Sequence, residues 1–163
     1  MRPTLYVDVD GVISLWGFPE RARPRGSFVT VDGIAHYLSA EAGGHLRDLG
    51  DSFELVWCTG WEEKANDYLP RALGLHGPLS HLVLDGGAGP PGKRAAIDLH
   101  RRPGRPFAWI DDNHSPDGAP WAAAHDAPAL LVTTDPATGL TEAEAGRLTA
   151  WAGRLRVPGP SGP

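Results

Sequence analysis

Short apolar runs alternate along the chain with longer segments of helical periodicity. Five runs have strand length and are largely apolar: residues 5–7, 53–58, 80–84, 107–110 and 129–133. The intervening segments place apolar residues three or four apart and predict helices over residues 34–49, 61–73, about 93–101, 118–125 and 141–154. Apolar strands that alternate with helices are typical of a parallel sheet covered on both faces. The pattern predicts an α/β, Rossmann-like three-layer sandwich around a central parallel five-stranded sheet.

A second kind of pattern follows the first strand. Two β-like runs, residues 12–18 and 27–31, flank a stretch rich in Pro, Gly and Arg. This arrangement predicts a β-hairpin flap over about residues 12–32. Alternate residues of an extended segment face one way, so three guanidinium groups are predicted to form one row at the hairpin tip. These are Arg21, Arg23 and Arg25.

Length and composition favour one domain in a reducing compartment. The chain has 163 residues, and we predict a single domain over residues 1–156 with a disordered Pro/Gly tail over 157–163. The single cysteine, Cys58, excludes an internal disulfide and is predicted to be a small buried residue. We find no membrane-spanning run and no signal-peptide pattern, so we expect a soluble cytoplasmic protein. The oligomeric state is not predicted.

The net charge limits the binding partners that the sequence predicts. A formal charge of -5 argues against a surface that coats nucleic acid, although it allows a local basic patch. The arginine-rich stretch of the predicted hairpin is such a patch. Any contact with nucleic acid should therefore be confined to one part of the molecule.

Polar residues follow the predicted strands where a parallel sheet places its functional site. The first strand ends in Asp8 and Asp10, which period-two geometry puts on one side of the chain. Carboxylates this close repel each other unless a cation or a shared proton relieves them. Other polar residues complete the set at later strands: Thr59 after the second strand, Lys93 before the fourth, and Asp111 and Asp112 after the fourth.

This order of residues resembles the haloacid dehalogenase (HAD) superfamily of phosphohydrolases. The family has an Asp-x-Asp after strand one, a Thr or Ser after strand two, then a Lys, and an acidic pair after a later strand. The resemblance covers the chain from about Leu5 to Val132. Residues 56–62, 108–113 and 131–136 are similar to the compact HAD domains of "Swiss Army Knife" RNA-repair proteins.

The resemblance implies a catalytic role for each residue. Asp8 would be the nucleophile that forms an aspartyl-phosphate, and Asp10 the general acid and base. Thr59 and the backbone N–H of Gly60 would bind the phosphate. Lys93 would supply a fixed positive charge.

The resemblance also implies a metal site. A hard divalent ion such as Mg²⁺ prefers oxygen ligands. Asp8 and Asp111 would ligate it by their side chains and Asp10 through its carbonyl oxygen. Asp112 would act directly or through water.

Each of these residues has a structural alternative. Thr59 could cap the following helix, with Glu62 completing a capping box. Lys93 could be an ordinary solvated residue, with its neighbour Arg94 as the ligand. Asp112 could cap the segment that follows. The tryptophans near the strand ends, Trp57, Trp61 and Trp109, are predicted to be core or site-wall residues, with base stacking as the alternative.

The spacing between motifs leaves no room for a large cap domain. By analogy with the family, an uncapped site stays open and suits a large substrate. We therefore expect a phosphorylated substrate such as a nucleic-acid end or a nucleotide, with flanking phosphates bound by the arginine row. The alternative for these arginines is a solvated hairpin tip without a partner.

Two other functions compete with a phosphatase. A receiver domain also combines carboxylates, a Thr and a Lys around Mg²⁺, and Asp85 ends the third predicted strand. In receivers, however, the accepting Asp follows strand three and the Lys follows strand five, which is not the order here. A non-catalytic binding module of the same fold is the other alternative. Metal-dependent hydrolysis of an aryl phosphate separates enzyme from module.

Overall fold

The structure, a computed structural model, describes residues 1–156. The predicted tail over residues 157–163 lies outside the described residues. The part described contains these strands and helices in chain order: β1 (Thr4–Val7), β2 (Ser14–Leu15), β3 (Gly26–Val31), β4 (Ile34–Ser39), α1 (Ala40–Leu49), β5 (Glu54–Trp57), α2 (Ala65–Leu73), β6 (Ser80–His81), α3 (Pro90–His100), β7 (Phe107–Asp111), α4 (Gly118–Ala123), β8 (Ala129–Thr133) and α5 (Glu142–Arg156). Short 3₁₀ turns cover Glu20–Ala22 and Glu62–Lys64.

The core of the domain is a parallel sheet with the strand order β6-β5-β1-β7-β8. The central strand β1 pairs with β5 on one side and β7 on the other, so that Thr4 lies opposite both Glu54 and Phe107. This arrangement confirms the predicted five-stranded α/β fold. Among the described residues no separate cap domain interrupts it, in agreement with the prediction.

Alternation along β1 explains the layers of the sandwich. Leu5 and Val7 are fully buried in one apolar cluster, which includes Leu46 of α1 and Leu148 of α5. Tyr6 points to the other face and is buried in a second cluster with Ile97 of α3. Since successive side chains of a strand face opposite ways, a run that is apolar at every position needs helices on both faces.

The flap is built differently from the prediction. It is a three-stranded antiparallel sheet in the order β2-β4-β3. The hairpin joins β3 to β4, and its tip is Asp32-Gly33, which both have positive φ (51° and 80°). Positive φ at both central residues belongs to the tight turns that match the twist of a hairpin. The arginine-containing segment is therefore the connection from β2 to β3 and not the hairpin tip.

The predicted helix over residues 34–49 is wrong in its first part. Residues 34–39 form β4, and the helix begins only at Ala40. The Ser39 hydroxyl accepts a hydrogen bond from the Ala42 N–H at 3.1 Å and caps the helix. Tyr37 and Leu38 fit a helical period, but their pairing with β2 and β3 decides the conformation.

Smaller differences also have local causes. The predicted third strand is shorter, because the Leu84 N–H donates to the Glu62 carboxylate at 2.7 Å instead of continuing the sheet. The third helix begins earlier, at Pro90, since proline is well suited to a first helical turn. At α5 the predicted capping pair is present: the Thr141 N–H donates to the Glu144 carboxylate at 2.9 Å.

None of the helices within residues 1–156 is long and apolar enough to cross a membrane.

The buried cysteine provides a test of the core. Cys58 is 0% exposed, and burial raises the pKa of its thiol, so that the reactive thiolate is suppressed. We expect the folded protein to resist iodoacetamide at neutral pH and to be alkylated once urea unfolds it. Mass spectrometry of the labelled chain measures this difference. Rapid stoichiometric labelling without denaturant would contradict the packing described here.

Candidate active site

All the predicted strand-end residues except Thr59 line one cavity, at the carboxyl edge of the central sheet. The cavity has a volume of about 440 Å³. Its lining comes from the segments that follow β1, β5 and β7 and from the beginning of α3: Asp8, Asp10, Gly60, Trp61, Ala88, Gly89, Pro90, Lys93, Asp111, Asp112 and Asn113. The sheet topology thus brings together residues that are up to 105 positions apart in the sequence (Asp8 and Asn113).

Asp8 is fixed at the end of the central strand. Its backbone N–H continues the sheet by donating to the Ile110 carbonyl oxygen at 3.1 Å. One side-chain oxygen, Oδ1, accepts from the Val9 N–H at 2.8 Å. The residue is only 4% exposed. Asp8 therefore presents a held carboxylate to the bottom of the cavity.

Lys93 joins two of the carboxylates. From the second turn of α3, its Nζ lies 2.9 Å from Asp8 Oδ2 and 2.7 Å from Asp111 Oδ2. Burial alone would lower the pKa of the ammonium, but the charges of Asp8 and Asp111 more than offset it and raise the pKa. The structure places Lys93, and not Arg94, among the carboxylates. Arg94 instead donates to Ser115 Oγ at 2.9 Å.

The carboxylates shift one another's ionisation. Burial, followed by the charge of Asp111, raises the pKa of Asp8 to about 7, and Lys93 opposes this shift. Burial and the charge of Asp111 also raise the pKa of Asp112. Ionising neighbouring carboxyl groups together costs free energy, and a cation placed between them lowers this cost. The site therefore has the electrostatic character of a cation site.

The donor geometry fits a divalent metal ion. Asp8, Asp111 and Asp112 each offer an oxygen atom, and these atoms all lie within 4.8 Å of one another. Asp111 is further fixed by the Trp109 indole N–H, at 3.1 Å, and by the Asn113 N–H, at 3.0 Å. Convergent carboxylate oxygens are the ligand type that Mg²⁺ prefers. The resemblance implies side-chain ligation by Asp8 and Asp111, with Asp112 acting directly or through water, and the positions of these oxygen atoms are compatible with it.

Asp10 faces the cavity without joining this cluster of three. Its Oδ2 accepts from the Trp61 indole N–H at 3.0 Å, and its Oδ1 lies 3.6 Å from His36 Nδ1. The side chain is 46% exposed. A carboxylate that is held in place yet reachable from solvent is suited to exchange protons with a bound molecule.

Gly60 lines the cavity, whereas Thr59, predicted to bind the phosphate, does not. Thr59 is buried, and its hydroxyl accepts from the Trp61 N–H at 3.3 Å. The capping box proposed as an alternative does not form, because the Glu62 carboxylate bonds the Leu84 N–H. At Gly60 a Cβ would lie 2.9 Å from Ala88 Cβ, so the close approach of the two loops favours glycine here.

The predicted arginine row is not at the cavity. Arg21 lies in a 3₁₀ turn, so the alternation assumed for an extended segment fails. Arg23 forms an ion pair with Glu20 and lies over the Tyr37 ring. Arg25 lines a separate cavity beside Leu73 at the end of α2. The tip of the hairpin is Asp32-Gly33, which contains no arginine. Asp32 forms an ion pair with Lys64.

His36 is a site residue that the sequence reasoning missed. It lies on β4, in the segment assigned to a helix, and its ring packs against Trp61 at 4.6 Å between centroids. The sequence did contain a signal for this strand. Asp32-Gly33 lies between two runs in which apolar and polar residues alternate, and such a pattern predicts a tight hairpin. Asp85, considered above for a receiver domain, follows the edge strand β6 and is not among the residues lining the cavity.

The family comparison agrees with this geometry. The model of the HAD domain in Swiss Army Knife RNA repair proteins matches residues 4–145. The chain belongs to this family. The match spans the flap, the whole central sheet and every strand-end residue of this HAD domain. None of the curated proteins compared with it matches.

Metal binding to the HAD domain can be measured by thermal stability. We expect saturating Mg²⁺, at about 100 times its dissociation constant, to raise Tm by about 5 to 10 °C, because binding to the native state adds about 2.7 kcal/mol. Asp111→Asn should remove this response. The exposed Asp117 provides a control, and Asp117→Asn should keep it. Calorimetry without Mg²⁺ binding to the wild type would contradict the assignment.

Two glycine variants test how closely the turn after Asp10 approaches Asp112, one of the predicted metal ligands. Gly11 has a φ of 78°, and a Cβ there would lie 2.6 Å from Asp112 Cγ. Gly33 has a similar φ of 80°, with nothing within 4 Å of a Cβ. Both Ala variants should lose about 1 kcal/mol or more through backbone strain.

Only Gly11→Ala should also displace Asp112 and weaken the Mg²⁺-dependent rise in Tm. Differential scanning calorimetry of both variants, with and without Mg²⁺, measures the two effects separately. An equal Mg²⁺ response in both variants would show that the contact with Asp112 is unimportant.

Proposed function

We propose that this HAD domain is a Mg²⁺-dependent phosphomonoesterase that acts through an aspartyl-phosphate on Asp8. The proposal is carried by one observation: Lys93 holds the buried carboxylates of Asp8 and Asp111 while Asp10 stays exposed to the same cavity. An arrangement with one fixed carboxylate and one reachable carboxylate suits covalent catalysis followed by hydrolysis. The family to which the chain belongs supports a hydrolase of this kind.

The first half-reaction transfers the phosphoryl group to the protein. A carboxylate oxygen of Asp8 attacks phosphorus in line as the bond from phosphorus to the leaving oxygen breaks. Asp10 gives its proton to that oxygen, and the alcohol departs. Asp8, Asp111 and Asp112 would hold Mg²⁺, which would supply positive charge to neutralise the phosphate oxygens.

The second half-reaction releases phosphate. Asp10, now ionised, takes a proton from water as that water attacks phosphorus, and the bond to Asp8 breaks. The carboxylate of Asp8 is regenerated, inorganic phosphate is released, and Asp10 again carries a proton. Lys93 contributes a fixed positive charge in both steps, because its ammonium lies within 3 Å of the Asp8 carboxylate.

The proposed substrate is a phosphate monoester at a nucleic-acid end or in a nucleotide. The description of the family, which places the domain in RNA repair proteins, supports this class. The absence of a cap among the described residues also leaves room for a large leaving group. Any contact made by Arg21, Arg23 and Arg25 would be with parts of the substrate remote from the reacting phosphate, since they do not line the cavity.

Removing the nucleophile tests this proposal. We expect Asp8→Asn to lower turnover of p-nitrophenyl phosphate by at least about 100-fold, since an amide oxygen is a far weaker nucleophile. The asparagine can still accept from the Val9 N–H, and circular dichroism should show an intact fold. Asp51→Asn, at an exposed position, serves as the control.

Turnover by Asp8→Asn above a few per cent of wild type would exclude Asp8 as the nucleophile. A wild-type domain that binds Mg²⁺ yet hydrolyses neither aryl phosphates nor nucleotides would indicate the non-catalytic binding module. The assay thus decides between the two functions.

A further inference from the structure

The partly exposed carboxylate of Asp10 is bound by an aromatic side chain. Trp61, at the start of the segment after β5, donates its indole N–H to Asp10 Oδ2 at 3.0 Å. The same relation recurs at the other side of the cavity, where the Trp109 indole N–H donates to Asp111 at 3.1 Å. Each of these two carboxylates is therefore oriented by an indole from a different strand end.

His36 connects this arrangement to the flap. Its ring meets the Trp61 ring in an edge-to-face contact, with centroids 4.6 Å apart and an interplanar angle of 66°. Its Nδ1 lies 3.1 Å from Ser14 Oγ, on β2, and 3.6 Å from Asp10 Oδ1. The histidine side chain is 17% exposed, so it is enclosed between the flap and the Trp61 segment.

A second contact ties the same two segments together. Asp32, at the hairpin tip, forms an ion pair with Lys64, three residues after Trp61. The flap therefore meets the Trp61 segment at its tip and again at His36. Exposed ion pairs contribute little stability, so the ring contact is the stronger constraint on Trp61.

We propose that Trp61 is a positioning residue for the acid–base group Asp10, and that His36 holds Trp61 in place from the flap. The proposal rests on the proposed function. An indole N–H is a donor only, so it binds the Asp10 oxygen that has no proton. Oδ2 is thereby held by Trp61, and this bond fixes the orientation of the Asp10 carboxylate, which lines the cavity.

A leaving-group comparison separates positioning from a general structural role. p-Nitrophenolate departs without a proton, whereas the alkoxide of glycerol 2-phosphate needs one from Asp10. We expect Trp61→Phe, which keeps a ring but removes the N–H, to lower kcat/KM for glycerol 2-phosphate by about tenfold. The kcat/KM for p-nitrophenyl phosphate should change less than about twofold, because phosphoryl transfer to Asp8 is intact.

Matched variants control for the loss of an aromatic residue. Trp16 is 48% exposed on the flap, and Trp16→Phe should leave both substrates unaffected. His36→Leu removes the ring and should reproduce the effect of Trp61→Phe, while His36→Phe, which keeps a ring against Trp61, should have a smaller effect. His45→Leu, at a position of α1 where the side chain is 24% exposed, is the control for His36→Leu.

A spectroscopic measurement tests the contact without catalysis. The Trp61→Phe variant assigns the Trp61 indole N–H resonance in a ¹⁵N–¹H correlation spectrum. Asp10→Asn should move that resonance upfield, because a hydrogen bond to a carboxylate deshields the proton more than one to an amide. Asp117→Asn should not move it.

The outcomes separate this inference from the proposed function. Wild-type activity that Asp8→Asn abolishes supports the function; equal losses on both substrates in Trp61→Phe, or none on either, would then overturn the positioning role. An indole resonance unaffected by Asp10→Asn would overturn it as well. A wild type inactive on both substrates would refute the proposed function and the role of Trp61 in catalysis together.

Discussion

The ion pairs of Lys93 with Asp8 and Asp111 are the constraint on which the rest of the site depends. They join α3 to β1 and β7 at the point where the central strands end. All three side chains are nearly removed from solvent, and removing one partner of such a buried group typically costs about 3 to 5 kcal/mol. The position of α3 across the sheet and the orientation of the two carboxylates are thus set by the same contacts.

This constraint separates a buried part of the site from a solvent-exposed one. Asp8 and Asp111 are held from several sides, by Lys93, by backbone N–H groups and by Trp109. Asp10 lies beyond the end of the strand, and its support comes from Trp61. The proposed reaction, with a buried nucleophile and a proton donor that is reachable from solvent, would match such a division.

The fold could be predicted from the sequence wherever a pattern of residues was compatible with only one structure. Apolar runs ending in Asp8, Thr59 and Asp111 fixed the order of the strand ends, since a parallel sheet brings its carboxyl ends together. The segment of residues 34–39 had two solutions, because Tyr37 and Leu38 fit a helix as well as a strand. The Asp32-Gly33 turn favoured the strand, and pairing with β3 and with β2 decided the outcome.

Side-chain partners were harder to predict than backbone structure. Trp61 was recognised as a core or site-wall residue, but the direction of its N–H depends on contacts made in three dimensions. His36 was hidden by the wrong helix boundary. The prediction of an arginine row near the site assumed that Arg21, Arg23 and Arg25 form an extended hairpin tip. The structure has a 3₁₀ turn at Arg21, and the hairpin turn lies elsewhere, between β3 and β4.

The beginning of α3 has a consequence for the order in which ligands enter. Its first two residues, Pro90 and Pro91, carry no N–H, so this helix end lacks two of the amide donors that commonly bind anions. Among the residues lining the cavity, four are aspartates and one is a lysine. If the proposed function holds, a phosphate dianion approaching the pocket without a cation would be repelled, so the cation would have to arrive first. Phosphate, whether on the reactant or released as product, would then be retained only while the ion remains.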